Sequence, residues 1–553
     1  MSQTTDPTAV RAEKLRAIRD LGIDPYPHTF RRTHSAREAL EKFEQLEERE
    51  TLLLAGRLRS IRPMGKAAFA HIEDAAAAIQ IYLRRDVMGE EAYRLVPLLD
   101  LGDLIGVEGK LFRTRMGEIS LRVERLVLLA KALKPMPVVK EKEGRIFDAF
   151  SDREMRYRRR DLDLMVNAEV RDLFRKRAAV IRALRSYLDE RGFLEVETPV
   201  LQAIYGGAAA RPFRTHHHAL DMDLYLRIAE ELPLKKLLVG GLERVYEIGR
   251  VFRNEGVDRH HNPEFTLLEF YWAYADYTDA MDLVEDMLRA TAQAVTGGLA
   301  VARRIAETDV ESGEQAGRRA GENAGDQAGE HAGDRAGEEL IIDFSQPFAR
   351  KTMLELIHAE TGADVLGMPV EKLAALGERV GASLPQSARA GQWIEKIFDA
   401  AVAPKLVQPT FVIDHPKAVS PLAKSHRRDR ENLVERFELF ILGNEYANAF
   451  SELNDPEEQR RRFEDQRALR EAGDLEAHPL DEEFLQALEQ GMPPAAGVGI
   501  GVDRLVMLLT GAEAIKDVLL FPHMRSLEGT RDEASALDEE SAPAGAGGDE
   551  GAG

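Results

Sequence analysis

The stretch that decides the fold runs from Arg250 to Tyr271 and reads RVFRNEGVDRHHNPEFTLLEFY. Its two apolar ends, separated by a polar loop, predict two strands joined as a hairpin. The pattern puts Arg253 on the first strand, where a buried cation is costly unless an anion faces it. An internal ion pair would explain one such arginine. The hairpin also carries a glutamate, two histidines and aromatic residues, which favours a site for a phosphate group and a nucleobase.

A second stretch, from Gly497 to Met507, reads GVGIGVDRLVM. Alternating glycines allow a ligand to come close to the backbone, but this run differs from a dinucleotide fingerprint. That fingerprint has the pattern G-x-G-x-x-G early in a βαβ unit, with an acidic residue about 20 positions later. The run here lies near the C-terminus and ends in Asp503 and Arg504 at the predicted start of a helix. It therefore indicates a nucleotide site in a different fold.

A third stretch, from Arg436 to Asn454, reads RFELFILGNEYANAFSELN. It places Glu438 in a nearly all-apolar strand and adds Glu445 and Glu452 further on. Surface salt bridges are the alternative explanation for each glutamate taken alone. Carboxylates close to a phosphate site favour a hard divalent ion such as magnesium, bridged to substrate phosphates.

Nearer the N-terminus the pattern changes to short strands, with a basic excess of +4 over residues 51–134. The predicted strands are Leu52–Arg59, Ala68–Glu73, Ile79–Leu83, Leu104–Phe112 and Ser120–Leu128. With a helical stretch near 87–99, this order is typical of an OB-fold β-barrel, other small barrels being the alternative. Barrels of this type bind oligonucleotides. An amphipathic helix over residues 7–20 precedes the barrel, and Gly22 is expected to end it.

The remaining chain mixes separate strands and helices, which predicts an α+β domain on an antiparallel sheet flanked by helices. A long helix over 168–191, ended by Gly192, leads into that sheet. We expect five regions along the chain. They are an N-terminal helical extension (1–50), the OB-fold domain (51–134), a linker (135–165), the sheet domain (166–525) and an acidic tail (526–553).

The chain has 553 residues, a formal net charge of −21 and no cysteine. Lack of cysteine excludes disulfides, thiolate zinc sites and cysteine nucleophiles. Residues 305–339, with a repeated Ala-Gly pair, and residues 526–553 each carry a net charge of −7. Their composition predicts disorder. The sequence lacks a long apolar run and a signal-peptide pattern, so it predicts a cytoplasmic protein with no membrane partner.

Taken together, the three stretches resemble the signature motifs of class II aminoacyl-tRNA synthetases. Residues 192–199, GFLEVETP, resemble motif 1, the hairpin resembles motif 2 and the glycine run resembles motif 3. Residues 206–213, GGAAARPF, and residues 450–455, FSELND, resemble the bacterial lysyl-tRNA synthetases in particular. The resemblance extends from about residue 10 to 525, apart from the 305–339 insert.

The resemblance implies that L-lysine and ATP form lysyl-adenylate and that lysine then passes to tRNA(Lys), without a covalent enzyme intermediate. It implies a homodimer built through motif 1 and up to three Mg²⁺ ions per subunit. Arg253 and Arg504 are the implied catalytic residues: Arg253 contacts the α-phosphate and the lysine carboxylate, and Arg504 with Phe265 encloses the adenine. The other implied ATP ligands are Glu255, His261 and Glu438, and the implied metal ligands are Glu438 and Glu445.

The residues that the resemblance assigns to lysine are Gly207, Glu231, Glu269, Tyr271, Asn448 and Glu452. An ε-ammonium group needs anionic acceptors, which Glu269 and Glu452 supply. Two such carboxylates lose hydration and repel each other unless a cation joins them, which disfavours neutral amino acids. An aspartate-specific relative would need cationic or amide groups there. Lysine is therefore preferred to aspartate or asparagine.

The resemblance also implies that the barrel binds the anticodon. Phe69 would stack on a base, while Arg62, Gln80 and Glu118 would read base edges. A position in the barrel core is the alternative for Phe69, although the preceding Gly65-Lys66 turn is polar.

Two departures from the family pattern concern the nucleotide and the amino acid. Arg259 and His260 occupy a loop that usually reads Arg-His-Asn, so a contact of Arg259 with the γ-phosphate is in question. Pro233 stands where an aromatic residue is common. Two other functions stay open: an enzyme that lysylates a protein, whose relatives lack the N-terminal barrel, and a non-catalytic tRNA-binding derivative. The latter would be expected to have lost Arg253, Arg504 or the metal carboxylates.

Overall fold

The structure is a computed structural model of the chain. It describes residues 6–137, 140–142, 145–147, 150, 152–304, 339–385, 388–471, 473 and 477–525. The chain divides into two compact units, Met1–Arg153 and Glu154–Gly553. The predicted insert at 305–339 lies outside the described residues except for Glu339, and the predicted tail at 526–553 lies wholly outside them.

The first unit combines short helices with a closed β-barrel. Its helices are α1 (Pro7–Asp20), α2 (Ala36–Glu41), α3 (Phe43–Leu46), α4 (Arg85–Met88) and α5 (Glu90–Tyr93), with a 3₁₀ turn at Val96–Leu98. Its barrel strands are β1 (Thr51–Met64), β2 (Ala67–Glu73), β3 (Ala78–Arg84), β4 (Leu104–Arg113) and β5 (Ile119–Ala130). They pair in the order β1-β2-β3-β5-β4, and β4 closes onto β1. The predicted OB-fold barrel is confirmed.

Local sequence explains this unit well. From Leu52 to Leu58 every second residue of β1 is buried, the period-two pattern of a strand with one face in a core. Helix α1 buries Leu15 and Ile18 and is followed by Gly22 with a φ of 74°. The helical stretch predicted near 87–99 forms α4, α5 and a 3₁₀ turn, because Gly89 adopts a φ of 87° that a continuous helix excludes.

The second unit is built on an eight-stranded sheet. Across the sheet the strands are β16 (Ala349–Thr352), β17 (Thr410–Pro416), β18 (Leu433–Ile441), β19 (Asn444–Ser451), β20 (Ala495–Gly501), β13 (Glu264–Ala273), β12 (Arg244–Phe252) and β8 (Leu194–Glu195). The six central strands are antiparallel, and the edge strands β16 and β8 pair in parallel with their neighbours. This confirms the predicted α+β class. One detail was wrong: β12 ends at Phe252, so Arg253 begins the loop instead of lying on the strand.

Helices cover this sheet. They are α6 (Arg153–Arg158), α7 (Arg160–Val166), α8 (Ala168–Asp189), α9 (Glu231–Val239), α10 (Tyr277–Thr296), α11 (Met353–Thr361), α12 (Val370–Arg379), α13 (Ala390–Ala401), α14 (Pro456–Glu471), α15 (Glu482–Glu489) and α16 (Val502–Thr510). Buried apolar residues of α8, α10 and α16 share one large core with the sheet. Helices α11 to α13 pack around a core of their own that contains Trp393 and Phe398.

The remaining strands form smaller sheets. They are β6 (Lys140–Lys142), β7 (Arg145–Phe147), β9 (Leu201–Gln202), β10 (Arg214–His217), β11 (Met222–Leu226), β14 (Ala300–Arg304) and β15 (Glu339–Asp343). Strands β6 and β7 and helices α6 and α7 fall in the stretch expected as a linker, 135–165. Arg160 of α7 is buried, pairs with Asp163 at 2.6 Å and donates to carbonyl oxygens between residues 516 and 520. Among the helices of the described ranges, none is long and apolar enough to cross a membrane.

Candidate active site

The hairpin of β12 and β13 brings an arginine over an aromatic ring. The backbone N–H of Arg253 donates to the Pro263 carbonyl at 2.8 Å, which fixes the start of the loop. The guanidinium carbon of Arg253 lies 5.1 Å from the centre of the Phe265 ring, within cation–π range. Burial lowers the pKa of Arg253, and the charge of Glu255 opposes that shift. The structure thus brings together Arg253, Glu255 and Phe265, as the sequence predicted.

The glycine strand β20 makes room for side chains of its neighbours. Gly499 pairs with Glu269 of β13, and Gly497 pairs with Tyr271. A Cβ added at Gly497 would overlap Oε1 of Glu452 and lie 2.8 Å from Cδ1 of Tyr271. The sequence interpretation assigned this glycine run to close approach of a ligand. The structure shows that the space left by Gly497 is occupied by two of the predicted lysine-binding side chains, Glu452 and Tyr271.

Arg504 lies in the first turn of α16, as predicted, and faces the loop of the hairpin. Its Nη1 donates to the carbonyl of Glu445 at 2.7 Å, and its Nη2 lies 3.2 Å from Nε2 of His261. Arg504, His261 and the Glu445 backbone therefore meet. Arg259 of the same loop turns elsewhere, since its Nη2 donates to the Glu513 carbonyl at 3.3 Å. Its contact with a phosphate stays a prediction.

Glu438 and Glu445 lie on the neighbouring strands β18 and β19. Burial raises the pKa of both carboxyl groups, and the charge of Glu438 raises that of Glu445 further. Such carboxylates are hard oxygen donors that fit a divalent cation completed by phosphate oxygens and water. In the described ranges, no cluster of three or more His, Asp or Glu side chains is placed to hold a metal ion.

Arg436, to which sequence analysis assigned no role, holds Glu438 of this carboxylate pair. Its Nη2 donates to Oε1 of Glu438 at 2.5 Å, and its Nε donates to Oδ1 of Asn448 at 3.1 Å. Nδ2 of Asn448 lies 3.3 Å from Oε1 of Glu438. Asn448 thus contacts Arg436 and Glu438, one of the two carboxylates predicted to bind the metal. Its role in binding lysine stays a prediction. The two-residue spacing of Arg436 and Glu438 on one strand was a signal, because such residues share a face.

The other predicted lysine-binding residues form a buried acidic pocket. Glu231, Glu269, Tyr271 and Glu452 are each at most 5% exposed. The Tyr271 hydroxyl donates to Oε2 of Glu269 at 3.1 Å. Burial raises the pKa of Glu269 to about 8, and the charge of Glu231 adds to that shift. Oε1 of Glu452 is buried and has no hydrogen-bond partner among the described residues, so it can accept from a ligand.

Lys235 is the second residue that sequence analysis missed. It is fully buried on α9 and forms ion pairs with both Glu231 and Glu452. Although burial opposes its charge, the two carboxylates hold the pKa of Lys235 above its ordinary value. When Glu231, Glu269 and Glu452 are ionised, Lys235 leaves two negative charges uncompensated among these four groups. The spacing of four residues between Glu231 and Lys235 on a helix could have indicated their pairing.

Gly207 lies against Glu231 of this pocket, and Pro233 lies on the same helix as Glu231. Gly207 has a φ of 87°, and a Cβ there would lie 2.8 Å from Cβ of Glu231. A larger residue would push this loop away from Glu231, which agrees with the predicted position of Gly207 at the pocket. Pro233 is the third residue of α9, where proline is tolerated because the first-turn N–H groups lack helical partners.

The outward face of the barrel gathers the four predicted anticodon residues. The half-buried Phe69 ring stacks on Tyr82 with centres 4.4 Å apart and planes at 15°. Exposed Arg62 pairs with Phe69 in the β1–β2 register. Nε2 of Gln80 donates to Oε2 of Glu118 at 2.7 Å. An aromatic surface and a fixed carboxylate therefore lie on one exposed face.

His71 was missed at this face. Its Nε2 lies 3.1 Å from Oε1 of Glu118, and its Nδ1 lies 2.9 Å from Oγ of Ser60. Glu118 is thus held from two sides, by His71 and by Gln80. The alternation of β2 was the available signal, because His71 follows Phe69 by two residues and shares its outward face.

Comparison with known proteins agrees with this geometry. Residues 152–525 match the family of class II tRNA synthetases (D, K and N), and residues 52–129 match the OB-fold nucleic acid binding domain. A lysine–tRNA ligase of Moorella thermoacetica is 50% identical over 524 residues, which cover 95% of this chain and 98% of the relative. One of Pelotomaculum thermopropionicum is 50% identical over 94% of this chain and 95% of the relative. A lysine–tRNA ligase of Shouchella clausii is 47% identical over 95% of this chain and 97% of the relative.

The family match covers the whole sheet domain that carries the arginines, the carboxylates and the glycine strand. The relatives extend the likeness through the barrel as well. The chain therefore belongs to the class II tRNA synthetases of the D, K and N group, within the family of the lysine–tRNA ligases.

Proposed function

We propose that this enzyme attaches L-lysine to tRNA(Lys) in two steps, through a lysyl-adenylate and without a covalent enzyme intermediate. The observation that carries the proposal is the pocket of Glu231, Glu269 and Glu452. All three carboxyl groups are buried, and the internal ammonium group of Lys235 pairs with two of them, those of Glu231 and Glu452. When the three carboxyl groups are ionised, Lys235 leaves two negative charges uncompensated among these four groups, which would match the two ammonium groups of a lysine molecule.

The first step is an attack of the lysine carboxylate on the α-phosphate of ATP. It requires positioning and neutralisation of charge, because phosphoryl chemistry of this type needs no protein nucleophile. Arg253 would draw the carboxylate and the α-phosphate together. Its Nε donates to the Ile228 carbonyl at 3.4 Å and its guanidinium lies over the Phe265 ring, which hold the planar group in place. Arg504 would close over the adenine opposite Phe265. Glu255 and His261 would hold the remainder of the ATP.

Magnesium would supply charge stabilisation on the phosphate oxygens. Glu438 and Glu445 would hold it, because both carboxylates lie in charge interaction with Arg504 and Glu445 does so with Arg253 as well. Arg436 keeps Glu438 in place by a hydrogen bond of 2.5 Å. The number of ions, up to three per subunit, stays a prediction from the family resemblance.

Selection of lysine would rest on complementary charge. Glu452 and Glu269, with Tyr271, would accept the ε-ammonium group, while Glu231 and Gly207 would hold the α-amino end. Asn448 would contact the lysine carboxylate. A neutral side chain would leave buried carboxylates facing each other, which costs several kcal/mol.

The barrel would recognise the anticodon. Phe69 offers a ring for stacking, and each stacked base contributes about 1–3 kcal/mol. Arg62, Gln80 and Glu118 would read base edges, and the hydrogen bond between Gln80 and Glu118 orients that carboxylate in advance.

We also propose a homodimer through motif 1. Around this segment the large apolar side chains Leu194, Val200, Leu201 and Ile204 are 39–51% exposed. Several exposed large apolar side chains within one short segment are typical of a protein interface, and a two-fold axis would bury two copies together. The cytoplasmic location stays a prediction from the sequence.

The two competing functions have less support. A protein-lysylating enzyme would not need the barrel, which this chain has in closed form. A non-catalytic derivative would not need the arginines and carboxylates of the three motifs, which are all present and brought together.

The test is ATP–pyrophosphate exchange with each of the twenty amino acids, with magnesium and without tRNA. Exchange driven by lysine alone supports the proposal. Exchange driven by aspartate or asparagine would show that the pocket assignment is wrong. Exchange with none of them would favour the binding protein.

A further inference from the structure

Arg177 of helix α8 reaches across to both elements of the proposed adenine site. Its Nη1 donates to Oδ1 of Asp503 at 2.5 Å, and its Nη2 donates to Oγ1 of Thr266 at 3.1 Å. The second oxygen of Asp503 accepts the backbone N–H of Thr266 at 2.7 Å. The three residues close a ring of hydrogen bonds that joins α8, β13 and α16.

This ring lies directly next to the two residues assigned to the adenine. Thr266 follows Phe265 on β13, and Asp503 precedes Arg504 at the start of α16. The bond between Asp503 and the Thr266 backbone therefore helps to set the separation of Phe265 and Arg504, together with the pairing of Leu267 and Gly501 between β13 and β20. A change in that bond moves both faces of the adenine site at once.

The Asp503 carboxylate depends on Arg177. Asp503 is 2% exposed, and a buried carboxylate is costly unless a cation and hydrogen bonds compensate it. Among the described residues, Arg177 is the cation that forms an ion pair with Asp503. The Arg177 side chain is itself only 13% exposed. A planar guanidinium can donate hydrogen bonds to Asp503 and Thr266 at the same time. The single ammonium group of a lysine is less suited to both contacts.

We infer that Arg177 is a positioning residue for ATP: through Asp503 and Thr266 it fixes the distance between Phe265 and Arg504. The inference rests on the proposed ATP site. It assigns no contact between Arg177 and the substrate. Its effect falls on the adenine site and leaves the carboxylate pocket for lysine unchanged.

The experiment measures ATP and lysine dissociation constants separately, by calorimetry on the full-length enzyme with magnesium. The variants are Arg177→Met and the conservative Arg177→Lys. The matched control is Arg175→Met, which removes a 56%-exposed arginine of the same helix that pairs with Asp172. Thermal unfolding of each variant verifies that the fold is retained.

We expect Arg177→Met to raise the ATP dissociation constant about tenfold, the loss of one charge-assisted hydrogen-bonding group, with the lysine constant unchanged. Arg177→Lys restores part of the ATP affinity, and Arg175→Met matches the wild type. A second measurement uses Asp503→Asn alone and together with Arg177→Met. If Arg177 acts through Asp503, the double variant loses no more ATP affinity than the weaker-binding single variant.

Two results would overturn the inference. One is an Arg177→Met variant that binds ATP like the wild type. The other is equal weakening of ATP and lysine binding, which would indicate a general loss of structure. Failure of the wild type to bind ATP is a different result, because it would overturn the proposed function itself.

Discussion

Gly497 and Glu452 share one space in the pocket: a Cβ on the glycine would overlap Oε1 of the glutamate. Gly497 lies on strand β20, and Glu452 lies just beyond the end of the neighbouring strand β19. The same oxygen is buried and has no hydrogen-bond partner among the described residues. The absence of a side chain at Gly497 thus allows Glu452 to present an unshared acceptor to the proposed ligand.

The first prediction is that Gly497→Ala impairs lysine binding more than ATP binding. The added methyl group must displace either the Glu452 carboxylate or the Tyr271 ring, and such overpacking costs about 1–3 kcal/mol. We expect the KM for lysine to rise roughly tenfold or more, with little change in the KM for ATP. Steady-state exchange kinetics measure both. Gly499→Ala is the matched control, because its nearest neighbours lie at 3.9 Å; equal effects of the two substitutions would contradict the prediction.

A second prediction concerns pH. Glu269 has its pKa raised from 4.5 to about 8 by burial, so the folded, ligand-free protein binds a proton there that the unfolded chain has released. Its contribution to stability therefore decreases as pH rises from about 4.5 to 8. Binding of an ammonium group needs the ionised carboxylate. The KM for lysine should therefore fall by up to about tenfold for each unit by which the pH rises toward 8. A lysine KM that is constant or rises between about pH 6 and 8 would be incompatible with this assignment.

A third prediction concerns magnesium. Replacing Glu445 by Gln removes one of the two carboxylates proposed to hold the ion. We expect the magnesium concentration for half-maximal exchange to rise at least about tenfold, because an amide is a neutral and weaker ligand. A titration of exchange rate against magnesium measures this. Glu471→Gln, an exposed glutamate of α14, provides the control, and an unchanged magnesium requirement in Glu445→Gln would remove Glu445 from the metal site.

A fourth prediction separates the barrel from the chemistry. Phe69→Ala should raise the KM for tRNA(Lys) about tenfold or more, from loss of one stacking contact, and leave tRNA-independent exchange unchanged. Aminoacylation and exchange assays on one preparation measure the two effects. Phe521→Ala, at a phenylalanine that is 78% exposed in the second unit, is the control. Loss of exchange in Phe69→Ala would instead indicate a structural role for Phe69.

The barrel, the hairpin and the glycine strand could be predicted because each is encoded by local periodicity. The alternation of apolar and polar residues in β1 predicts a strand from neighbouring residues alone. The apolar segments on either side of the polar loop that begins at Arg253 predict the hairpin. The details that failed were also local. Arg253 lies one residue beyond β12, and Gly89 divides a stretch that was predicted as helical. A pattern of apolar residues does not fix where a strand ends.

Lys235, Arg436 and Arg177 were missed for another reason. Arg177 meets Asp503, and Lys235 on α9 meets Glu452 beyond β19, and these partners come from distant parts of the chain. The nearer partners, Glu231 for Lys235 and Glu438 for Arg436, are four and two residues away, but their spacing alone does not show that the pairs are enclosed. A single charged residue in a sequence is most often solvated, so only the folded arrangement reveals these buried ion pairs. Glu438, Glu445 and Glu452 were found because they stand in a largely apolar stretch, and Glu231 and Glu269 because the resemblance named them, whereas the resemblance named none of the cationic partners.

The measurement that tests the central claim most directly is lysine-dependent ATP–pyrophosphate exchange by the wild type and by Glu452→Gln. Glu483→Gln, whose side chain is 83% exposed, is the control. We predict exchange with lysine alone for the wild type. For Glu452→Gln we predict a kcat/KM for lysine that is lower by roughly 10- to 100-fold at an unchanged KM for ATP, since a charged hydrogen-bond acceptor has become neutral. Wild-type selectivity retained in full by Glu452→Gln would contradict the assignment of lysine to this carboxylate pocket.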